Sequence, residues 1–179
     1  MATITFISRG RIGLIDPDIG HEQHLEFDVP GQANWGVGPE FRDGRLILIS
    51  YEAGKAWEGK LRTRLWIYER ASGAARASGA LAEIATRDRP APFMVPIALL
   101  PGEQRLLAGP VIDGEQRVFS MNLDGSDPVP ATQPGDGFAY GVEPSPDGQR
   151  LAYHLTGPGD LPYRICVSDL DGGQRATIA

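Results

Sequence analysis

An all-β chain forming part of a β-propeller is the fold class this sequence predicts. It reads as about three four-stranded blades after an incomplete blade of three strands. Three observations lead there. A pattern of two tight turns separated by strand-like segments recurs three times along the 179 residues. Glycine (23) and proline (15) are abundant enough to punctuate many turns rather than long helices. The segments between turns are short and apolar, and Leu46-Ile47-Leu48-Ile49 is apolar at consecutive positions, as a strand covered on both faces would be.

The incomplete blade comes first. Thr3 to Ser8, Arg11 to Ile15 and Gln23 to Val29 read as three strands, with a turn at Asp16-Pro17-Asp18. The first full copy starts Gly38-Pro39-Glu40-Phe41-Arg42-Asp43-Gly44 and runs through Arg45 to Ser50. A polar loop follows, then Arg64-Leu65-Trp66-Ile67-Tyr68-Glu69 and a turn at Ser72-Gly73. The middle copy has Leu100-Pro101-Gly102-Glu103, then Gln104 to Ala108, Gln116 to Met121, and Asn122-Leu123-Asp124-Gly125. The last has Pro144-Ser145-Pro146-Asp147-Gly148, Gln149 to His154, Tyr163 to Ser168, and Asp169-Leu170-Asp171-Gly172. Each copy reads strand, tight turn, strand, loop, strand, tight turn, strand, because Asp-Gly and Pro-Gly supply the positive φ that such turns need. Uneven spacing is absorbed by loops, chiefly Glu52 to Arg62 and Ser78 to Pro92. The predicted segments are 1–33, 34–80, 88–133 and 136–179. A plain antiparallel sandwich is the competing reading, and three aligned copies of a two-turn pattern disfavour it.

The Ser145-Pro146-Asp147-Gly148 repeat and the Leu-Asp-Gly endings at Leu123-Asp124-Gly125 and Leu170-Asp171-Gly172 resemble those of TolB-like, WD-type β-propellers. The first copy departs from the pattern, since Glu40-Phe41-Arg42-Asp43-Gly44 lacks the Ser-Pro. This motif is structural and carries no catalytic residue. There is weaker similarity to oligogalacturonate lyase-type propellers, which implies a metal held by histidines. His21, His24 and His154 match no such ligand set, so no metal site is assigned and no cofactor is identified.

A net charge of −6 argues against nucleic acid, which needs a concentrated basic surface. No run approaches membrane-spanning length, and the start Met1-Ala2-Thr3-Ile4-Thr5-Phe6 lacks the features of a signal peptide, so a cytoplasmic location is expected. The single cysteine, Cys166, lies in an apolar run and reads as a small core residue.

Ligands of propellers meet the channel mouth. Trp35, Phe93 and Tyr140 fall at equivalent places before the first strand of each copy, nine, nine and eight residues ahead of Gly44, Gly102 and Gly148. They read either as an aromatic rim for stacking or as wedges between blades. The long charged loop from Tyr51 to Lys60 adds Glu52, Trp57 and Glu58, and His154 ends a second strand facing the same rim, near Asp160 and Tyr163. His21 and His24 are placed away from it. A small molecule, a saccharide or a protein would fit such a mouth, and no catalytic constellation is visible. The expected function is ligand or protein binding. A carbohydrate-active lyase and the gating propeller of a prolyl-oligopeptidase-like hydrolase are the alternatives. An arc of under four blades leaves two faces to cover; the expectation is that this is the N-terminal part of a longer propeller whose further blades cover them, with a homodimer as the alternative.

Overall fold

In the computed structural model, residues 3–8, 11–25, 32–52, 60–85, 97–109, 111–112, 115–156 and 163–178 are described. They form an all-β fold of blade-like antiparallel sheets. The first sheet has three strands in chain order, β1 (Ile4–Ser8), β2 (Arg11–Ile15) and β3 (Glu22–His24). The second has four: β4 (Gln32–Glu40), β5 (Leu46–Glu52), β6 (Lys60–Glu69) and β7 (Ala74–Ala85). A third is built from β8 (Ile97–Leu99), β9 (Arg105–Ala108), β12 (Phe119–Asn122) and β13 (Val129–Pro130). Between β9 and β12 a small hairpin is inserted, β10 (Val111–Ile112) with β11 (Glu115–Gln116). The fourth sheet is β14 (Phe138–Pro144), β15 (Arg150–Thr156), β16 (Arg164–Asp169) and β17 (Ala176–Thr177).

Side-chain alternation along each strand turns the sheets into a stack. Leu46, Leu48, Trp66 and Tyr68 point one way and bury Ile12, Leu14 and Leu25 of the first sheet. Ile47, Ile49 and Leu65 point the other way, onto Leu106, Ala108, Phe119 and Met121 of the third. Leu107 and Val118 then meet Leu151, Tyr153, Leu155 and Cys166 of the fourth. Three cores therefore lie between sheets rather than inside any one of them, which explains why Leu46 to Ile49 is apolar without a break. Cys166 is buried there, as its setting in the sequence suggested.

The turns follow the repeat. Gly44, Gly148 and Gly172 carry φ of +86°, +68° and +80°. In each aspartate turn the carboxylate accepts the N–H two residues on: Asp43 from Arg45 at 3.1 Å, Asp147 from Gln149 at 3.0 Å, Asp124 from Ser126 at 2.9 Å and Asp171 from Gly173 at 2.9 Å. The Ser145 hydroxyl donates to Asp147 and accepts the Arg150 N–H at 3.0 Å, so the Ser-Pro-Asp-Gly signature is a self-bonded turn.

Several details differ from the sequence reading. Segment Ser78 to Pro92 was expected to be a loop, yet β7 continues to Ala85, paired with β6 as far as Lys60. Its run of alanine, serine and glycine has weak strand preference, and pairing with a long neighbour overrides that. Close packing also requires it: a Cβ on Gly79 would lie 1.9 Å from the Asp124 carbonyl oxygen, and the Ser78 hydroxyl donates to the Leu123 carbonyl at 2.7 Å. In the middle copy the third strand begins at Phe119 rather than Gln116, which belongs to the inserted hairpin and donates from its side chain to the Gly109 carbonyl at 3.0 Å. The middle first turn is also shifted by one residue. Glu103, not Gly102, donates its N–H to the Leu100 carbonyl as Gly148 does to Ser145, and Glu103 takes a φ of +57°.

Candidate functional site

The first strands of the second, third and fourth sheets converge. β8 lies against both β4 and β14, and the ends of these strands with their following turns enclose an open cavity of about 700 Å³. Glycine and proline (Gly38, Pro39, Pro101, Pro144, Pro146) are part of the lining. One acid comes from each sheet: Glu40, Glu103 and Glu143, beside Arg42.

The three acids are not equivalent. Glu40 is paired with Arg70 at 3.1 Å, and Arg70 also donates to the hydroxyl of Thr3, just before β1, at 3.2 Å. Glu103 accepts the Arg42 backbone N–H at 2.7 Å, with the Arg42 guanidinium at 3.9 Å, and so ties the second sheet to the third. Glu143 is exposed and has no hydrogen bond or ion pair among the described residues. Three carboxylates against Arg42 and Arg70 leave one formal negative charge beside the cavity, at Glu143.

Those of the residues singled out from sequence that are described lie elsewhere. Trp35 is half-buried against the core between the first and second sheets, its ring tilted onto Trp66 with centroids 5.6 Å apart. Trp66 is itself buried and donates to the Ser50 hydroxyl at 2.8 Å. Glu52 is the last residue of β5, opposite Gln32. Tyr140 pairs across β14 and β15 with His154, whose exposed side chain stands on the face of the fourth sheet turned away from the third. Tyr163 is exposed just before β16, while Trp57, Glu58, Phe93 and Asp160 lie outside the described residues. Trp35, Glu52, Tyr140 and His154 thus cluster toward the starts of first strands and ends of second strands. The cavity is at the other end of those first strands.

Histidines are not gathered. His24 is bound to Glu22 at 2.7 Å and set edge-on to Phe6, both on the first sheet, whereas His154 is on the last. No group of three His, Cys, Asp or Glu side chains suited to a metal occurs among the described residues. No helix of the described residues is long and apolar enough to cross a membrane.

Sequence reasoning missed Glu40, Arg42, Glu103 and Glu143. A signal was present: each acid flanks a first turn, in Glu40-Phe41-Arg42-Asp43-Gly44, Pro101-Gly102-Glu103 and Glu143-Pro144-Ser145-Pro146.

The sequence matches no family model and no curated relative. Solved structures share its shape. TolB from Acinetobacter baumannii superposes with a TM-score of 0.70 at 13% identity, over 99% of this chain and 40% of that one. A nidogen/laminin complex gives 0.66 at 13%, over 99% and 61%. Oligogalacturonate lyase in complex with manganese gives 0.66 at 13%, over 99% and 50%. This chain therefore spans 40% to 61% of the length of these structures. Its fold is propeller-like and related to those of TolB and oligogalacturonate lyase.

Proposed function

We propose that this chain is the binding part of a β-propeller and that its channel takes a positively charged segment of a partner polypeptide. The observation that carries this reading is the cavity of about 700 Å³ where three first strands converge, with Glu143 exposed and without a side-chain partner among the described residues, and two further carboxylates beside it. Its size is in the range of ligand sites, and its charge favours a cationic group over a saccharide or an acid. A protein partner is further favoured because one structure of the same shape comes from a protein–protein complex. On this reading the opposite mouth of the channel is where the sequence leads one to expect Glu52, Trp57, Glu58, Phe93, Tyr140 and His154, while Trp35 packs between the first two sheets.

A short arginine-rich peptide tests this by titration against intrinsic tryptophan fluorescence or calorimetry. Binding is expected to weaken with added salt, and Glu143→Lys is expected to weaken it at least about tenfold, or 1.4 kcal/mol. Glu22→Lys makes the same change in net charge on the first sheet and should have little effect. Equal loss in both variants would reduce the effect to overall charge and remove the channel from the explanation.

A further inference from the structure

The strands that meet at the channel, β4, β8 and β14, are each an edge strand of their own sheet, so each presents backbone N–H and C=O groups there. Such edges pair readily with another chain, and bulges and prolines are what prevent it. Two of the three strands carry both. β4 is interrupted by register shifts between Ala33 and Gly36 and between Val37 and Glu40, and it holds Pro39. β14 shifts between Tyr140 and Glu143 and ends on Pro144. β8 has neither: Ile97, Ala98 and Leu99 lie opposite Ala108, Leu107 and Leu106 without a break.

Bonded and non-bonded pairs alternate along an antiparallel ladder. Leu100 donates its N–H to the Arg105 carbonyl at 3.0 Å, so Ala98 is the next residue bonded to β9. The N–H and C=O groups of Ile97 and Leu99 therefore point away from β9, on the channel side, and no partner for them occurs among the described residues. Groups on alternate residues of a free edge are what an incoming strand binds. We propose, given the channel's assignment to a positively charged segment, that this segment binds extended, as a further strand hydrogen-bonded to β8, with cationic side chains at alternate residues. A residue opposite Ala98 shares the face that packs on the fourth sheet, from which Glu143 comes. Residues opposite Ile97 and Leu99 face the other way, where Glu40 and Glu103 already hold Arg70 and Arg42, so apolar side chains suit those positions.

Amide hydrogen exchange followed by NMR on the whole chain is the experiment, with a hexapeptide of alternating arginine and valine, acetylated and amidated at its ends, as the probe. Saturating peptide should slow exchange at Ile97 and Leu99 at least about tenfold, with Ala98 little changed because β9 already protects it. Ile97→Pro removes an N–H that faces the channel and none that the ladder uses, and should weaken binding about tenfold, whereas Ile97→Val keeps that N–H and should bind as the unmodified chain does. Peptide that binds but leaves exchange at Ile97 and Leu99 unchanged overturns the added strand alone, whether or not Ile97→Pro folds. Equal binding by a folded Ile97→Pro variant overturns it too. Absence of any binding overturns the channel's assignment and the added strand together.

Discussion

Asp43, Asp124 and Asp147 each hold a turn closed with a carboxylate, and each has its carboxyl lowered from an ordinary value of 3.8. The Arg45 backbone N–H is the main cause at Asp43, and hydroxyl donors are the main cause at the other two, Ser126 for Asp124 and Ser145 for Asp147. An acid depressed in the folded state adds stability that is complete above its unfolded value and lost as pH falls through the folded one. Thermal stability should therefore decline below about pH 4, and Asp43→Asn with Asp124→Asn and Asp147→Asn should flatten that decline in a pH series of melting temperatures. Glycines separate by mechanism at the same scale. Gly79→Ala drives a methyl into the Asp124 carbonyl and should cost about 2–3 kcal/mol in a urea titration. Gly44→Ala meets open space, and only its φ of +86° opposes it, at about 1 kcal/mol. A reversed order would mean that β7 does not approach the next sheet closely.

Strands β5 and β6 show how one element serves two cores. Leu48 and Ile49 are both buried, yet they belong to clusters on opposite sides of the same sheet. Leu48→Ala and Ile49→Ala should each cost about 2–5 kcal/mol, and the double variant should be close to additive because the cavities do not touch. Chemical denaturation of the three variants checks this. The buried pair of Trp66 and Ser50 links these strands, and Ser50→Ala should cost about 1–3 kcal/mol by leaving the indole N–H without that acceptor. Ser50→Thr, which keeps the hydroxyl, should recover part of the loss.

Across the whole molecule, the sheets are joined by contacts that reach from turn to neighbouring strand. Gly172 sits where a Cβ would be 2.4 Å from the Ala131 carbonyl, repeating in the fourth sheet the approach of Asp124 to Gly79. Leu123 and Leu170, which precede Asp-Gly in the two turns, pack on the cores between sheets. Glu103 adds a polar link beside the channel at the expense of a left-handed backbone. Glu103→Gly should relieve that backbone but detach Arg42, so its effect on stability should be small. Its effect on peptide binding in the channel should be smaller than that of Glu143→Lys, which reverses a charge where Glu103→Gly removes one, measured in the same titration. Binding unchanged in both would sever the cavity from function.

From the sequence alone came the repeat, the alternation of strands and turns, and the count of sheets, because turn chemistry and apolar runs are local properties. Ser145-Pro146-Asp147-Gly148 determines its own hydrogen bonds within five residues. The site was less legible. Trp35 stands out in the sequence as an aromatic, but only packing shows it lying on Trp66, and Glu143 comes to notice only where three first strands meet around it. Extension of β7 through alanine and glycine, the hairpin ahead of Phe119, and the shift of the middle turn onto Glu103 were likewise decided by the tertiary structure. Pairing with β6 draws out β7, the Gly109 carbonyl holds Gln116 in the hairpin, and the contact of Glu103 with Arg42, 61 residues away in sequence, comes only with folding.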